Sequence, residues 1–317
     1  MTKTLVVEEI ALTEGVDAGA GPYGIDSGPD GAIWFTLVHA GAIGRLEPRS
    51  RAQSVHRLDA SDSGPTVVTP GPDGAMWFCR THDHSIGRIA MDGSARRFVL
   101  PGADSAPYGI TWGPDDALWF TETTANRVGR ITVDGEVTGF PLPIAGAFPS
   151  AIAAGADGAL WCTLNQADAV ARITTAGEIT SFRLPTEGAA PVGIAAEAGG
   201  VDGGSRGHEG GAGALWFAEI GAGAVGRITT TGDITEFPLP DRESRPHAVA
   251  VDATGACWFT EWATGRIGRI TPEGDVTEAA LPSPSAEPHG LTLGPDGAVW
   301  AALESGALAR VTVAGEE

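Results

Sequence analysis

A sequence repeat with a period of about 42 residues runs along the chain, and it constrains the fold more than any other feature. Each copy begins with a proline, a variable residue, a small residue and a hydrophobic residue, and later reaches a tryptophan and an arginine. The starting prolines are Pro22, Pro65, Pro107, Pro149, Pro191, Pro246 and Pro288. The tryptophans in phase are Trp34, Trp77, Trp119, Trp161, Trp216, Trp258 and Trp300. The arginines are Arg45, Arg88, Arg130, Arg172, Arg227, Arg269 and Arg310, which we expect to pair with turn carboxylates.

Each copy has the pattern of four short strands. In the third copy the strands are expected at 108–112, 118–121, 127–131 and 137–140, with turn residues between them. Turn pairs such as Asp-Gly between apolar alternations are strong hairpin signals. Four strands per copy and seven copies predict an all-β fold, a seven-bladed β-propeller with four-stranded antiparallel blades.

The last copy lacks its fourth strand, because only 289–293, 298–303 and 307–313 follow Pro288. The strand-like segment 5–12 precedes the first copy, so we expect this N-terminal strand to close the last blade. The whole chain, 1–317, is then expected to be a single propeller domain. A Gly-rich insertion at 197–213 lengthens the fifth copy and is expected to be a surface loop; its His208 and Glu209 receive no functional role.

Composition and charge limit the binding partners and the cellular compartment that we expect. Forty acidic residues against twenty basic ones give a net charge of −20, which repels nucleic acid and anionic membranes. No apolar run is long enough to cross a membrane, and no hydrophobic signal segment follows Met1. Cys79, Cys162 and Cys257 lie beside tryptophans in strand-like runs, which is typical of buried thiols in a reducing compartment. We therefore expect a cytoplasmic protein, and a closed propeller can be monomeric.

A comparison of the copies distinguishes positions that all blades share from residues that occur in only a few of them. Among the residues that precede the starting prolines only Glu287 is a carboxylate, and four places after each tryptophan only Glu304 is one. The residue after the proline is histidine only in the last two copies, as His247 and His289. A third acidic column, Glu122, Glu219 and Glu261, recurs in three copies and is either structural or part of a polar mouth.

The exceptions of the last copy should lie close together. If Asp296 and Gly297 are the two central residues of the hairpin turn, His289 lies directly opposite Glu304. Strand alternation then points Glu287 to the same side as His289. Two carboxylates with histidines nearby and no cysteine favour Mg²⁺ over zinc. A chance polar cluster at a polar mouth is the alternative interpretation.

Other histidines are less promising. The tract Thr81-His82-Asp83-His84 and His39 fall between the second and third strands of their copies, where surface loops are expected. His56 is expected on an outer strand. The sequence has no P-loop or HExxH motif, so it gives no support to those enzyme classes.

The repeat resembles that of the streptogramin B lyases, also called virginiamycin B lyases, over essentially the whole chain outside the insertion. The specific part is Arg245-Pro246-His247-Ala248, Trp258-Phe259-Thr260-Glu261-Trp262, Glu287-Pro288-His289-Gly290 and Glu304. The resemblance implies that His289 is the catalytic base, that Glu287 and Glu304 hold Mg²⁺, and that His247 contacts the substrate. Ala301 departs from the family pattern, which usually has an aromatic residue after this tryptophan.

The implied activity is the linearisation of a cyclic depsipeptide antibiotic by Mg²⁺-dependent elimination at its ester bond, which confers resistance. This chemistry requires a base and a polarising cation but no acyl-enzyme nucleophile. Two alternatives remain: a non-catalytic binding propeller, and a metal-dependent lactone hydrolase. The clustering of carboxylates on one blade favours the lyase, and the sequence leaves the natural substrate open.

Overall fold

The seven copies fold into seven four-stranded antiparallel sheets, each with its strands hydrogen-bonded in the order inner to outer. The computed structural model describes residues 4–13, 16, 19–102, 104–197 and 213–314. The sheets are the blades of a seven-bladed β-propeller, which confirms the predicted fold class. Most of the predicted insertion, including His208 and Glu209, lies outside the described residues.

The strands, in chain order, are β1 Leu5–Ala11, β2 Pro22–Ser27, β3 Ile33–Leu37, β4 Ala42–Leu46, β5 Gln53–Arg57, β6 Pro65–Pro70, β7 Met76–Arg80, β8 Ser85–Ile89, β9 Ala95–Val99, β10 Pro107–Trp112, β11 Leu118–Glu122, β12 Arg127–Ile131, β13 Val137–Pro141, β14 Pro149–Ala154, β15 Leu160–Leu164, β16 Ala169–Ile173, β17 Ile179–Arg183, β18 Pro191–Ala196, β19 Ala214–Glu219, β20 Ala224–Thr229, β21 Ile234–Pro238, β22 Pro246–Val251, β23 Cys257–Glu261, β24 Arg266–Ile270, β25 Val276–Ala280, β26 Pro288–Leu293, β27 Val299–Leu303 and β28 Ala307–Val313. One 3₁₀ turn, Asn165–Ala167, follows β15. Within the described ranges no helix is long and apolar enough to cross a bilayer.

The N-terminal strand closes the ring as predicted. The last blade has the strand order β26, β27, β28, β1, and β1 pairs antiparallel with β28 from Leu5 opposite Val313 to Ala11 opposite Ala307. The Glu9 carboxylate accepts hydrogen bonds from the backbone N–H and the hydroxyl of Ser283, so β1 also holds the linker that enters this blade. Because β1 pairs with β28, the outer edge of this third strand is not left open in the last blade.

Each blade is organised around its buried tryptophan. The indole N–H donates to a carboxylate of the turn between the first two strands, at 2.8 to 3.1 Å. The same carboxylate accepts from the arginine of the repeat, which confirms the predicted pairing in all seven blades. In blade five this carboxylate is Glu197. The residue predicted to begin the insertion therefore belongs to the blade.

The first hairpin of each blade has a bulge that the sequence prediction missed. In blade seven, Gly294 donates to the Ala298 carbonyl across a loop of three residues rather than two, and Thr292 lies opposite Trp300. The register then shifts between Leu291 and Pro288, which lies opposite Leu303. The predicted pairing of His289 with Glu304 across the ladder is therefore wrong. The same shift occurs in the first hairpin of all seven blades.

Ring closure predicts a large loss of stability when β1 is removed. Deleting residues 1–12 exposes the edge of β28 and the apolar side chains that β1 covers, so the melting temperature in thermal circular dichroism should fall by roughly 10 °C or more. Val6→Ser is the control, because Val6 is half-exposed on β1 and its replacement leaves the strand pairing intact. An unchanged melting temperature in the truncated protein would contradict the closure by β1.

Candidate functional site

The candidate site lies at the mouth of the propeller where the seven inner strands begin. These strands, β2, β6, β10, β14, β18, β22 and β26, line a central cavity of about 590 Å³. Their first residues, the loops between second and third strands, and the linkers between blades share this mouth. The bulge after each starting proline breaks regular alternation and turns the following side chain toward the mouth.

His289 and Glu304 meet at this mouth despite the wrong register prediction. The His289 Nε2 atom lies 2.5 Å from Glu304 Oε2, and the imidazole is buried, with 7% of His289 exposed. His39 approaches the other carboxylate oxygen, with Nε2 2.8 Å from Oε1. Because blade one adjoins blade seven across the closure, its second loop reaches this position. His39 was assigned to a surface loop by sequence, and it is exposed, but it belongs to the site.

Glu287 lies at the mouth, but its backbone conformation differs from the predicted one. It precedes β26 with a φ of +47°, so it is not an extended strand residue and the alternation argument does not apply to it. Its carbonyl accepts the backbone N–H of Glu304 at 3.1 Å, which places the two glutamates opposite each other. The Glu287 side chain is exposed, and its charge acts on His289.

An aromatic cluster surrounds His289. The ring of Tyr23 lies 4.5 Å from the His289 ring, and the His247 ring is perpendicular to it at 5.0 Å. The Tyr23 hydroxyl is 2.7 Å from the Tyr108 hydroxyl and 3.5 Å from His247 Nε2. His247 and His289 therefore come together as predicted, and the sequence analysis missed the two tyrosines.

Trp262 completes this cluster on the side of blade six. Its ring lies 6.3 Å from the His289 ring, and the guanidinium of Arg245 stacks over it at 5.7 Å. Trp262 could have been found from the sequence, because it is out of phase with the tryptophan column. The tyrosines gave a similar signal, because they occupy the same repeat column as His247 and His289.

Backbone contacts between neighbouring blades fix His289. The Thr260 hydroxyl of blade six donates to the His289 carbonyl at 3.0 Å. On the other side, a Cβ atom at Gly290 would lie 2.5 Å from the Tyr23 carbonyl of blade one, so only glycine permits this approach. The backbone that carries the imidazole is thus held from both sides, by blade six and by blade one.

Burial keeps both histidines neutral at pH 7. It lowers the pKa of His247 to about 3, and the neighbouring His289 acts in the same direction. Burial also lowers the pKa of His289 from its usual value, although the hydrogen bond and the charge of Glu304 oppose this shift. Partial burial would raise the pKa of Glu304, but hydrogen bonds from His39 and His289 outweigh it and leave the pKa below the usual value. The site therefore pairs a neutral imidazole with an ionised carboxylate.

Three buried ring nitrogens of the cluster lack a hydrogen-bond partner among the described residues. They are His247 Nδ1, His289 Nδ1 and Trp262 Nε1. Buried polar atoms are seldom left unpaired in folded proteins. A molecule bound at this mouth would supply partners for these three atoms.

The other histidines of the sequence analysis have local partners. His82 Nδ1 lies 3.0 Å from the Asp62 carbonyl, and His84 Nδ1 accepts the backbone N–H of Ala106 at 3.1 Å. Asp83 pairs with the buried Arg80. His56 lies on outer strand β5 and stacks on Trp34 at 5.9 Å. The Thr81-His82-Asp83-His84 tract is therefore a structural loop, as expected.

The recurrent column Glu122, Glu219 and Glu261 lies inside the blades rather than at the mouth, since all three side chains are fully buried. Glu122 pairs with Arg127 at 2.6 Å. In blade five Ala224 takes the place of that arginine, and burial together with the Glu236 charge raises the pKa of Glu219 to about 8. Burial and the Glu278 charge raise the pKa of Glu261 to about 7.

The donor set at the mouth fits a hard cation that keeps most of its own water. Glu287 and Glu304 are opposed across the backbone and accessible at the rim. In the described ranges no group of three or more His, Cys, Asp or Glu side chains is arranged to hold a metal. Mg²⁺ is commonly bound through one or two carboxylates with water and ligand oxygens, whereas zinc requires more protein ligands. A zinc centre does not fit this donor set, and a magnesium site does.

Similar proteins carry the same fold over almost their full length. The solved structure named Streptogramin B lyase is 37% identical, with a TM-score of 0.89, and the match covers 98% of both chains. A catalytically inactive variant of virginiamycin B lyase from Staphylococcus aureus, solved with quinupristin, is 38% identical with a TM-score of 0.88, over 98% of this chain and 99% of that one. The virginiamycin B lyase of Saccharopolyspora erythraea is 60% identical over 52 residues, which is 16% of this chain and 17% of that relative.

The fold and the mouth define a seven-bladed propeller whose last blade carries a buried histidine paired with a partly buried carboxylate. The sequence profile of the Virginiamycin B lyase family matches residues 6–311. The chain belongs to this family, which is a family of lyases, and the resemblance found in the sequence is confirmed.

The uncharged Glu219 predicts a dependence of stability on pH. Its carboxyl group binds a proton more tightly in the folded state, with a pKa of about 8, than in the unfolded state, where the usual value is 4.5. Between these values the folded state holds the extra proton, so stability falls as the pH rises, by up to about 1.4 kcal/mol per pH unit. Glu219→Gln should remove this loss. In urea unfolding, the free energy of unfolding should therefore fall less between pH 5 and pH 8 in the variant than in the wild type.

Glu122→Gln is the matched control for this measurement. The substitution leaves Arg127 without its carboxylate, so it should destabilise the protein by about 1–3 kcal/mol at both pH values. If Glu219→Gln shows the same pH dependence as the wild type, the Glu219 carboxyl is already ionised in the folded state.

Proposed function

We propose that this protein is a lyase that linearises cyclic depsipeptide antibiotics of the streptogramin B type by elimination at their ester bond. The observation that carries the proposal is the buried, neutral His289 paired with the ionised Glu304 at an open mouth. The full-length likeness to the quinupristin-bound lyase supports the substrate class. Antibiotic resistance is the physiological role that follows from this reaction.

His289 is the proposed catalytic base. In the neutral ring, the Nε2–H donates to Glu304 Oε2 and leaves Nδ1 as the unprotonated nitrogen, an assignment that follows from the hydrogen bond. Nδ1 has no partner within the described part of the chain, so it is free to take a proton. The substrate proton lies on the Cα atom of a threonine-derived residue, whose side-chain oxygen forms the ester. When the Cα–H electrons form the Cα=Cβ bond, the Cβ–O bond breaks and the carboxylate leaves.

Glu304 and the aromatic cluster prepare this step. The Glu304 carboxylate orients the ring and stabilises the imidazolium that forms when the proton is taken. His247, whose ring is perpendicular to that of His289, is the proposed substrate-binding residue. Tyr23 and Trp262 shield the base from water by flanking its ring. No nucleophilic side chain is required, because no acyl-enzyme forms.

Mg²⁺ is the proposed cofactor, and Glu287 and Glu304 are the residues that would hold it. When bound, the ion supplies a positive charge that polarises the substrate carbonyl and favours loss of the adjacent proton. Glu304 Oε1 is the oxygen proposed to bind the cation. In this structure it contacts His39, which is exposed at the rim. Two carboxylates brought together at one rim support the proposal, because a cation offsets the repulsion between them.

We also propose that the protein is a monomeric, single-domain enzyme of the cytoplasm with no nucleic-acid or membrane partner. Cys79, Cys162 and Cys257 are free and buried, which supports a reducing compartment. The net charge of −20 supports the absence of anionic polymers among its partners.

Elimination predicts a linear product with the same mass as the antibiotic. The protein should convert quinupristin with Mg²⁺ to an isobaric product that has a new conjugated double bond absorbing in the ultraviolet, as checked by mass spectrometry. His289→Ala should lower kcat about 10²–10⁴-fold, because general-base catalysis contributes on this order. His82→Ala is the control, since His82 belongs to blade two and its Nδ1 contacts the Asp62 carbonyl rather than a residue of the site.

The alternatives give different products. A linear product heavier by one water would reject the lyase and favour the lactone hydrolase. No turnover by a folded wild-type protein with Mg²⁺ would favour a non-catalytic binding propeller.

Magnesium dependence is tested separately from the chemistry. Chelation should abolish turnover and Mg²⁺ should restore it, and Mg²⁺ should raise the melting temperature of the metal-free protein. Glu287→Gln and Glu304→Gln should each remove that thermal shift, because each removes one carboxylate of the site. Glu273→Gln, on an exposed turn of blade six, should retain it. A shift that survives in both site variants would place the cation elsewhere.

A further inference from the structure

The residue before each starting proline has a left-handed backbone in all seven blades. The seven φ values are +66° at Gly21, +59° at Gly64, +44° at Ala106, +53° at Phe148, +48° at Ala190, +53° at Arg245 and +47° at Glu287. Each of these residues accepts a backbone N–H from the loop after the second strand, except that blade five uses the carbonyl of the preceding Ala189. The position is thus a fixed feature of the mouth, and its side chains surround the opening.

A left-handed backbone is unfavourable for residues other than glycine, because the Cβ atom comes too close to the following carbonyl oxygen. Four blades fill the position with glycine or alanine, which shows that the fold needs no large side chain there. The three large side chains, Phe148, Arg245 and Glu287, therefore require a reason beyond the fold. For two of them the reason is the site: Arg245 stacks over Trp262, and Glu287 acts on His289.

Phe148 is the third of these side chains, and it is 40% exposed. The other large apolar side chains exposed in the described ranges are Val6, Val99 and Leu293. Val6 and Val99 lie on outer strands, and Leu293 lies at the opposite end of its inner strand. At the mouth that carries His289, Phe148 is therefore the exposed large apolar group of the described chain. Blade four lies across the ring from blade seven, so Phe148 lies on the rim opposite the site.

We propose that Phe148 is a specificity-determining residue that binds an apolar part of the cyclic depsipeptide while the ester bond lies at His289. The inference rests on the proposed function and deepens it, because it assigns the far side of the substrate to a named residue. A macrocycle is wide enough to need support on both sides of the opening, and an apolar contact opposite the base fixes its orientation. The aromatic side chains Tyr23 and Trp262 lie beside His289, so Phe148 offers an apolar contact that is separate from them.

The test uses two substitutions that separate binding from folding. Phe148→Gly removes the ring and relieves the left-handed strain, so the melting temperature should stay within a few degrees of the wild type. The KM for quinupristin should rise about 10-fold or more, as expected from losing a buried aromatic contact, while kcat stays within about 2-fold. Phe148→Leu should recover most of the affinity, because an apolar side chain returns.

Ala190→Gly is the matched control. It makes the same backbone change at the same position of blade five without removing an apolar contact, so both KM and the melting temperature should stay close to the wild type. The dissociation constant of quinupristin, measured by calorimetry in a His289→Ala background, should follow the KM values. This second measurement reports binding without turnover.

The outcomes distinguish this inference from the proposed function. If the wild type turns quinupristin over and Phe148→Gly leaves KM and the dissociation constant unchanged, the role of Phe148 is wrong and the lyase remains. If Phe148→Gly unfolds the protein or lowers kcat with KM unchanged, Phe148 has a structural role instead. If the wild type neither binds nor converts quinupristin, both proposals are overturned.

Discussion

The structure depends on the hydrogen bond between each buried indole and the turn carboxylate of its own blade. A tryptophan N–H inside a sheet must find an acceptor, and the carboxylate that provides one must itself be neutralised by a cation. The repeat arginine completes this set in all seven blades, even where Glu197 replaces the shorter aspartate. Because this arrangement fixes the turn at one end of every blade, the other end can vary without loss of the fold.

Variation is concentrated at the opposite mouth, where the bulge and the left-handed residue before the proline present side chains to the opening. Most blades use small residues there. Of the three exceptions, Arg245 and Glu287 lie in the last two blades, and Phe148 lies across the ring from them. Thr260 from blade six and Tyr23 from blade one hold His289 from its two sides. The last blade is completed by β1, so the geometry of the site and the closure of the ring are coupled.

The sequence predicted the blade number, the closing strand and the meeting of His289 with His247 and Glu304, because the repeat makes each exception visible. It did not predict the register, since the three-residue loop before Ala298 and the bulge before Leu291 each shift the ladder by one residue. His39 and Tyr23 were missed for another reason. They belong to blade one, and only the closed ring brings them against blade seven. The roles of Glu287 and Glu304 as metal ligands remain a prediction.

The central claim is that His289 removes a proton from carbon rather than activating water. The most direct measurement uses a type B streptogramin carrying deuterium on the Cα atom of the residue whose side chain forms the ester. Elimination by His289 predicts a slower reaction with this substrate than with the unlabelled one, and a linear product that has lost the deuteron. A product that retains the deuteron, formed at an unchanged rate, would contradict it.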